Sequence, residues 1–490
     1  RLQLLQLLTC IIFIVALFIC VHLLYLYILY TFFTIMVIIS FHYSNNNILI
    51  FSTEIASEIA FVPSIVIIPY IMQKKGRRKA NLATILPLVL AWALVLFNNV
   101  TLLVVINILY TIAIGGSVAI SSITIAELCS TKYRATLLML QPVMFSLGFL
   151  ISHLFGIYTL LTIIPYIGIV SASYALLVTY YWLESPYWLI SQGLIEKCME
   201  NFYWIRGDDE EAKKEIDALL RIYKAKMQVD ALKPIFKSNL RDRSIEYMKT
   251  LWTIDFLRPL FMMILLFSFV VVAAQSLSVS FSSSFFNLSN GKYIGTVFLD
   301  VITVLCSVIA CILLRLGRRK SLFMITGLIS ICFLVLEVLY LLLQSLGILS
   351  PDYMWLYVTF GTLFAVFMFL GTLSLPFSLL GEIFPITFKE IGSSITCAYL
   401  WAFGNTVIKL AAFLSAVIGT YSMTCIFIIL MVVILIIFNK YLPETSDKSL
   451  IEIEEFKLIS SNQPNLYDSV KTNDDHAESF DKLKLLIEYA

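Results

Sequence analysis

Charge is what this chain has least of. Only 13% of its 490 residues are Asp, Glu, Lys or Arg, while 60% are hydrophobic and the mean hydropathy is +0.91. Soluble domains carry about a quarter charged residues. The balance therefore excludes a soluble fold and makes the chain an integral membrane protein, and its net charge of +2 gives no basis for nucleic-acid binding. Organised cysteine is lacking too. Cys10, Cys20, Cys129, Cys198, Cys306, Cys311, Cys332, Cys397 and Cys425 are scattered through mostly apolar runs without a CxxC pair. That pattern excludes a zinc site or a disulfide framework and leaves free thiols acting as small hydrophobes. There is no nucleophile elbow, phosphate loop or metal-ligand cluster, so neither an enzyme nor a bound cofactor or metal is expected. Finally, no Asp or Glu occurs between Arg1 and Thr53.

What is present is repetition. Gly76-Arg77-Arg78-Lys79 and Gly317-Arg318-Arg319-Lys320 are the same tetrad, each between long apolar runs. Basic tetrads in such places are short cytoplasmic loops by the positive-inside rule. Ala126-Glu127 with Arg134 recurs as Gly381-Glu382 with Lys389, and Glu184-Ser185-Pro186 recurs loosely as Pro443-Glu444-Thr445. The offsets are 241 (318 minus 77), 255 (382 minus 127) and 260 (444 minus 184), drifting upward as loop insertions require. Two similar halves around a central site are a transporter architecture. Acids and bases at the cytoplasmic helix ends can form ion pairs between the halves that hold the inner face shut, and a network of them can bias two states. Arg77, Arg78, Glu127, Arg134, Glu184, Arg318, Arg319, Glu382, Lys389 and Glu444 stand where such a gating network belongs.

A spanning helix needs about 20 apolar residues. Runs of that kind lie near 4–30, 55–73, 80–98, 101–125, 136–156, 159–183, 257–284, 291–314, 321–345, 352–380, 391–417 and 420–441. The expected fold is therefore an all-α membrane protein of about twelve transmembrane helices in two pseudo-symmetric six-helix halves. The expected organisation is an N-terminal half over 1–183, a cytoplasmic linker over 184–250, a C-terminal half over 251–441 and a tail over 442–490. The linker holds 24 of the 66 charged residues, and Asp208 to Lys226 reads as a solvated amphipathic helix. The basic loops place both termini in the cytoplasm and the sequons at Asn99 and Asn287 outside. Residues 1–43 read as a tilted helix running into an apolar outer loop, too long for a signal peptide, and the polar tail as partly disordered.

Ionisable residues inside a membrane are functional candidates by default. Glu54 and Glu58, one turn apart near the outer end of the second run, read as water-facing. Asp300 and Glu337 lie deeper, and His153 reads as a packed polar group. Gly148 and Gly156 let helices pack closely.

Several of these segments carry a family resemblance. Glu184-Ser-Pro-Tyr-Trp-Leu, the two Gly-Arg-Arg-Lys loops, Gly381-Glu-Ile-Phe-Pro and Leu442-Pro-Glu-Thr followed by Lys448-Ser-Leu-Ile-Glu-Ile resemble the sugar porter branch of the major facilitator superfamily. Trp204-Ile-Arg-Gly-Asp and Lys409, eight residues after Trp401, resemble the insect facilitated trehalose transporters in particular. The resemblance covers about residues 53 to 456. It implies the major facilitator fold and alternating-access passage of a neutral sugar. It also exposes departures. Gln73 stands where the family has Asp, Leu314 where it has an acid, and Asn107 and Tyr187 where it has Arg. Pro142 takes the place of a fifth-helix Gln, Val270 and Val271 that of a Gln-Gln pair, Ala274 and Ser276 that of Gly and Asn, Phe377 that of a Trp, and Leu400 that of an Asn. A sugar site needs amides and hydroxyls with an aromatic platform. The candidates that survive are Gln141, Gln275, Ser276, Phe377, Trp401, Asn405 and Lys409, with Ser278 nearby.

The sequence thus points to facilitative transport of a sugar, trehalose or hexose-like, or a related small neutral solute, across what is expected to be the plasma membrane. Passive movement follows from the acid-free first 53 residues, since proton-coupled sugar porters typically carry a first-helix carboxylate. Two alternatives remain open: an organic-ion carrier, whose branch shares the Glu-Ser-Pro-Tyr-Trp-Leu segment, and a transport-dead sugar sensor. The partners implied are a small-molecule solute and the lipid bilayer.

Overall fold

The computed structural model describes residues 61, 66–97, 102–129, 134, 137–157, 164–208, 210–232, 252–288, 294–316, 319–350, 353–384 and 388–441. The first 43 residues, Glu54, Glu58, Asn99 and the tail after Tyr441 lie outside that set, as do the side chains of His153, Ser278 and Asn287. Among the described residues every regular element is helical. Residues 66–75 are followed by α1 (Arg77–Val95), α2 (Leu102–Leu128), α3 (Leu140–Ile157), α4 (Ile164–Tyr181), α5 (Pro186–Ser191), α6 (Ile195–Arg206) and α7 (Glu210–Leu232). Then come α8 (Ile254–Leu288), α9 (Ile294–Leu316), α10 (Arg319–Ser345), α11 (Met354–Phe367), a π turn (Met368–Thr372), α12 (Ser374–Leu380), α13 (Lys389–Ile418) and α14 (Thr420–Tyr441).

Eight spans among the described residues are long and apolar enough to cross a membrane: α1, α2, Phe256–Leu277 of α8, Val297–Leu314 of α9, α10, Met354–Leu380, α13 and Thr420–Lys440. The runs expected near 136–156 and 159–183 form the 18-residue helices α3 and α4. A chain crossing lipid must satisfy its polar groups internally, and several hydroxyls here do so locally. Ser268 donates to the Ile264 carbonyl at 2.7 Å, Ser307 to Thr303 at 2.7 Å and Thr424 to Thr420 at 2.9 Å. The run expected over 352–380 is one span with a fault in it. Pro376 has no N–H for the Thr372 carbonyl, and its ring crowds that turn. The backbone responds with the wider π turn, where the Leu373 N–H reaches back to the Met368 carbonyl at 3.0 Å.

The chain falls into two compact units. One holds the described residues to Ser185 and those from Arg258 onward; the other is built on Pro186–Leu257. In the first unit α2 is the hub. Gly115, Gly116, Ser117, Ala119, Ser121, Ser122 and Ala126 line it and are all buried. Small residues let neighbouring backbones approach closely, and α1 packs along α2 on one side and α13 on another. A second seam between the early and late helices runs between α3 and α9. There Ser146 Oγ and Ser307 Oγ lie 3.1 Å apart, and Cys311 Sγ donates to the Met139 carbonyl at 3.5 Å.

In the second unit, α5, α6 and α7 share a small core of Tyr187, Leu189, Cys198, Phe202, Ile205, Ile216, Leu219 and Leu220. The expected amphipathic helix is α7, which buries one face of that core. Glu215 on α7 receives the Tyr187 hydroxyl and an Arg206 N–H, both at 3.1 Å. Tyr187 thus gives the acid a neutral partner where the family pattern has an arginine. Burial pushes the Cys198 thiol up to about 11. The seven described cysteines are free thiols.

Candidate functional site: an ion-pair cluster at the basic-loop end

The cluster starts at Gly76, whose backbone has φ 92°, a conformation that favours glycine. It precedes α1, so the first N–H groups of that helix have no intrahelical acceptor. Glu184 supplies one. Its carboxylate takes the Arg77 N–H at 2.7 Å and the Arg78 N–H at 3.3 Å. A Cβ on Gly76 would stand 2.5 Å from the Glu184 carboxyl carbon, so the glycine permits both the turn and the approach. Glu184 is thus a helix cap supplied from 107 residues away. Burial raises its carboxyl above the usual value, and the N–H donors of Ser185, Arg77 and Arg78 offset only part of that.

The Arg77 side chain turns inward and is buried. Its Nε and Nη2 donate to the two Glu127 carboxylate oxygens at 2.9 and 2.7 Å, the fork geometry in which arginine binds carboxylate. Nη1 donates to the Met72 carbonyl at 3.2 Å, and Ser185 Oγ donates to Glu127 at 2.5 Å. Nη2 also donates to Glu390 Oε1 at 2.7 Å, a residue in the first turn of α13 and 313 positions away. Arg78 points elsewhere, to the Trp182 carbonyl at 3.2 Å.

The later half carries its own pair, Arg319 Nη1 to Glu382 Oε2 at 2.5 Å, both buried. Here the second arginine of the tetrad makes the bond, whereas in the first half it is the first arginine. Arg134 and Lys389 are both buried at 1% exposure. An Arg134 N–H reaches the Cys129 carbonyl at 3.5 Å, and Lys389 Nζ has no hydrogen-bond partner among the described residues. Arg318 and Glu444 lie outside the described residues. The structure therefore brings Arg77, Glu127, Glu184 and Glu390 together and sets Arg319 with Glu382. Glu127 and Glu382 pair within their own halves, and among the described residues Arg77–Glu390 is an ion pair that crosses between them. Sequence reasoning missed Glu390, because only the fold brings α13 to the first tetrad. It also missed Ser185, although Ser185 adjoins an acid already singled out.

Deeper in the bundle lie the candidates for solute contact. Gln141 is fully buried, and its amide is already engaged: Nε2 donates to Ser121 Oγ at 2.8 Å and Oε1 accepts from Ser122 Oγ at 3.1 Å. One turn on, Phe145 meets Phe377 across the halves with centroids 5.4 Å apart, and Phe377 also meets Phe267 at 5.6 Å. Trp401 is half-buried, 6.4 Å from Phe61 of the other half. Asn405 is half-buried one turn beyond, and Lys409 is exposed. Gln275 is half-buried, and Ser276 is buried with its hydroxyl on the Val272 carbonyl at 3.0 Å. Val270 and Val271 are buried beside them, as are Asp300 and Glu337 on α9 and α10.

A helical bundle of two halves joined by a buried ion pair at one end, with aromatic contacts deeper in, is an architecture of the major facilitator type. The comparison with solved structures agrees. The proton:xylose symporter XylE bound to 6-bromo-6-deoxy-D-glucose superposes with a TM-score of 0.72 at 17% identity, over 91% of this chain and 98% of that one. The family model "Sugar (and other) transporter" matches residues 24–456, and the chain belongs to that family. Among curated relatives, the facilitated trehalose transporter Tret1 of Culex quinquefasciatus is 23% identical over 384 residues, 77% of this chain and 72% of that protein. Tret1 of Anopheles gambiae is 24% identical over 77% of this chain, which spans 47% of the Anopheles protein.

Proposed function

We propose that this protein carries a sugar, trehalose or a hexose, or a related small neutral solute passively across the plasma membrane by alternating access. The observation that carries the reading is the buried Arg77–Glu127–Glu390 cluster, because it ties the two halves at one end in a manner that is reversible by charge separation. In this reading the basic-loop end faces the cytoplasm, as the positive-inside rule requires. Arg77, Arg78, Glu127, Arg134, Glu184, Arg318, Arg319, Glu382, Lys389 and Glu444 form or brace the inner gate. Phe377 and Trp401 offer aromatic faces to the solute, with Gln275, Asn405 and Lys409 as polar contacts. The likeness to trehalose transporters and the acid-free first 53 residues favour facilitated sugar movement over proton coupling.

One observation favours a second reading. The Gln141 amide is spent on two serines and valines stand at 270 and 271, so the pocket offers few free hydrogen-bonding groups. A less polar solute, an organic ion, or a sensor that binds without moving its ligand would suit such a site. The deciding experiment is uptake of labelled trehalose and glucose into proteoliposomes, with and without a pH gradient, alongside Trp401→Ala. Saturable uptake that ignores the gradient and is lost in the variant supports the first reading. Folded protein without sugar flux rejects it.

A further inference from the structure

The seam between α3 and α9 holds chemistry that the proposed solute path leaves unused. Its contacts, Cys311 with Met139 and Ser307 with Ser146, run the two helices antiparallel. On α9 the buried residues Asp300, Thr303, Ser307 and Cys311 recur every three or four positions, which is one helix face. The opposite face, with Phe298, Leu305 and Ile312, is exposed. Asp300 stands seven residues before Ser307 (307 minus 300), and His153 stands seven residues after Ser146 (153 minus 146). Seven residues are two helical turns to within about 20°, so each position keeps the face of its serine. The antiparallel register therefore sets position 153 opposite position 300. That level is two turns beyond the serine contact and about 24 Å of helix from the basic-loop end of α9.

Asp300 is 8% exposed inside the span Val297–Leu314. An acid at that depth is costly unless something offsets its charge. At about this depth, the other titratable groups on elements packed against α9 are Glu337 and Tyr340 on α10 and Tyr357 on α11. Arg319 and Lys320 lie at the far end of α10, and Cys306 and Cys311 lie further along α9 itself. The π turn carries no titratable group, nor does α12, which also packs on α3. Histidine is thus the residue at this level of the seam that can bring a positive charge to Asp300, and its ordinary range is centred near pH ~6.5.

We propose that His153 and Asp300 together bind one proton across the α3–α9 seam. With that proton the pair carries no net charge; without it a lone negative charge lies inside the membrane span. The packed seam therefore holds the proton more firmly than a parted, hydrated one. Proton binding stabilises the packed seam most in acid, and the contribution is lost as pH rises. The site lies away from the basic loops, so the proton arrives from and returns to the water on that side. Solute movement becomes sensitive to pH there without being driven by a proton gradient. The site goes beyond the transport reading and does not depend on which solute is carried.

Two measurements on the full chain in nanodiscs test it. The first concerns placement. Asp300→His sets a second imidazole opposite His153, and zinc should raise the unfolding temperature of that variant by several degrees. The parent, and His153→Gln combined with Asp300→His, should show no such rise. A missing zinc shift in Asp300→His overturns the placement. If that variant does not fold, the exchanged pair His153→Asp with Asp300→His replaces it and should melt above His153→Asp alone; an equal or lower melt overturns the pair. The second measurement is a double-mutant cycle on unfolding temperature with His153→Gln and Asp300→Asn. At about pH 5.5 the double variant should lose clearly less than the two single losses summed, and at about pH 8.5 the losses should add. Additive losses at both values overturn the proton site. His153→Gln with the exposed Glu196→Gln is the control and should be additive throughout. Tracer sugar exchange on the same samples keeps the two readings apart. Coupling without exchange rejects sugar transport and keeps the site, whereas normal exchange with additive melts does the reverse.

Discussion

Gly381 lies so close to Ala126 that a Cβ on it would stand 3.0 Å from the Ala126 Cβ and 2.5 Å from the Ser122 carbonyl oxygen. The two residues occupy equivalent places in the repeated halves, each preceding the acid that pairs with its tetrad arginine. The ends of α12 and α2 therefore meet almost backbone to backbone at the contact between the halves. A backbone carbonyl cannot swing aside as a side chain can. Gly381→Ala should cost about 1–3 kcal/mol of stability by overpacking and lower exchange flux several-fold, with Gly381→Leu more severe. Thermal unfolding in detergent and tracer exchange measure the two effects. Parental values for both would show that the halves do not close here.

The Arg77–Glu127 fork predicts an asymmetric mutational result. Glu127→Ala leaves a buried guanidinium without its main partner and should cost about 3–5 kcal/mol. Replacing both members, as in Arg77→Met with Glu127→Leu, should recover only part of that loss, because Glu390 is then left without its Arg77 partner. Ser185→Ala removes one hydrogen bond to a charged group and should cost about 1.5–3 kcal/mol. A double variant no more stable than Glu127→Ala alone would contradict the account.

Much of this was legible in the sequence, and the limits are physical. Apolar run lengths place helices because lipid imposes one length scale, and tetrad repetition exposes the paired halves. Glu127 and Glu382 stood out through their symmetry. Glu390 has no counterpart in the first half, and its partner is 313 residues away, so no local pattern marks it. The shift in pairing from the first arginine of one tetrad to the second of the other is equally invisible, since helix rotation decides which side chain faces the acid. Pro376 does signal the break in its helix, but not that the backbone would answer with a π turn. Glu184 looked like an arginine partner; it is foremost a helix cap, a role that depends on where the chain returns after α4.

The cap predicts a pH dependence. Burial raises the Glu184 carboxyl above its ordinary 4.5. A raised folded value means that folding favours the protonated form. The stabilising contribution is complete below pH about 4.5 and is lost as pH climbs through the folded value. Glu184→Gln removes that titration. Its unfolding temperature relative to the parent should therefore rise as pH goes from 4.5 to 7.5, in parallel melts of both proteins. A constant difference across that range would mean that Glu184 is not desolvated as its surroundings imply.

Gln141 and Trp401 should separate structural from solute-binding roles. Both ends of the Gln141 amide are bonded to Ser121 and Ser122 inside the first half. Gln141→Ala thus takes the acceptor from the buried Ser122 hydroxyl, while Ser121 keeps its bond to the Val118 carbonyl at 3.0 Å; the loss should cost about 1–3 kcal/mol and lower the unfolding temperature with little change in the solute KM. Trp401 is half-buried and touches the opposite half through Phe61. Trp401→Ala should cost about 0.5–3 kcal/mol of stability and weaken solute binding at least tenfold, as expected of an aromatic platform. Unfolding curves and concentration-dependent uptake on the same preparations decide it. If Gln141→Ala instead raises KM at unchanged stability, its amide must let go of the serines to meet the solute, and the pocket is more polar than the resting geometry shows.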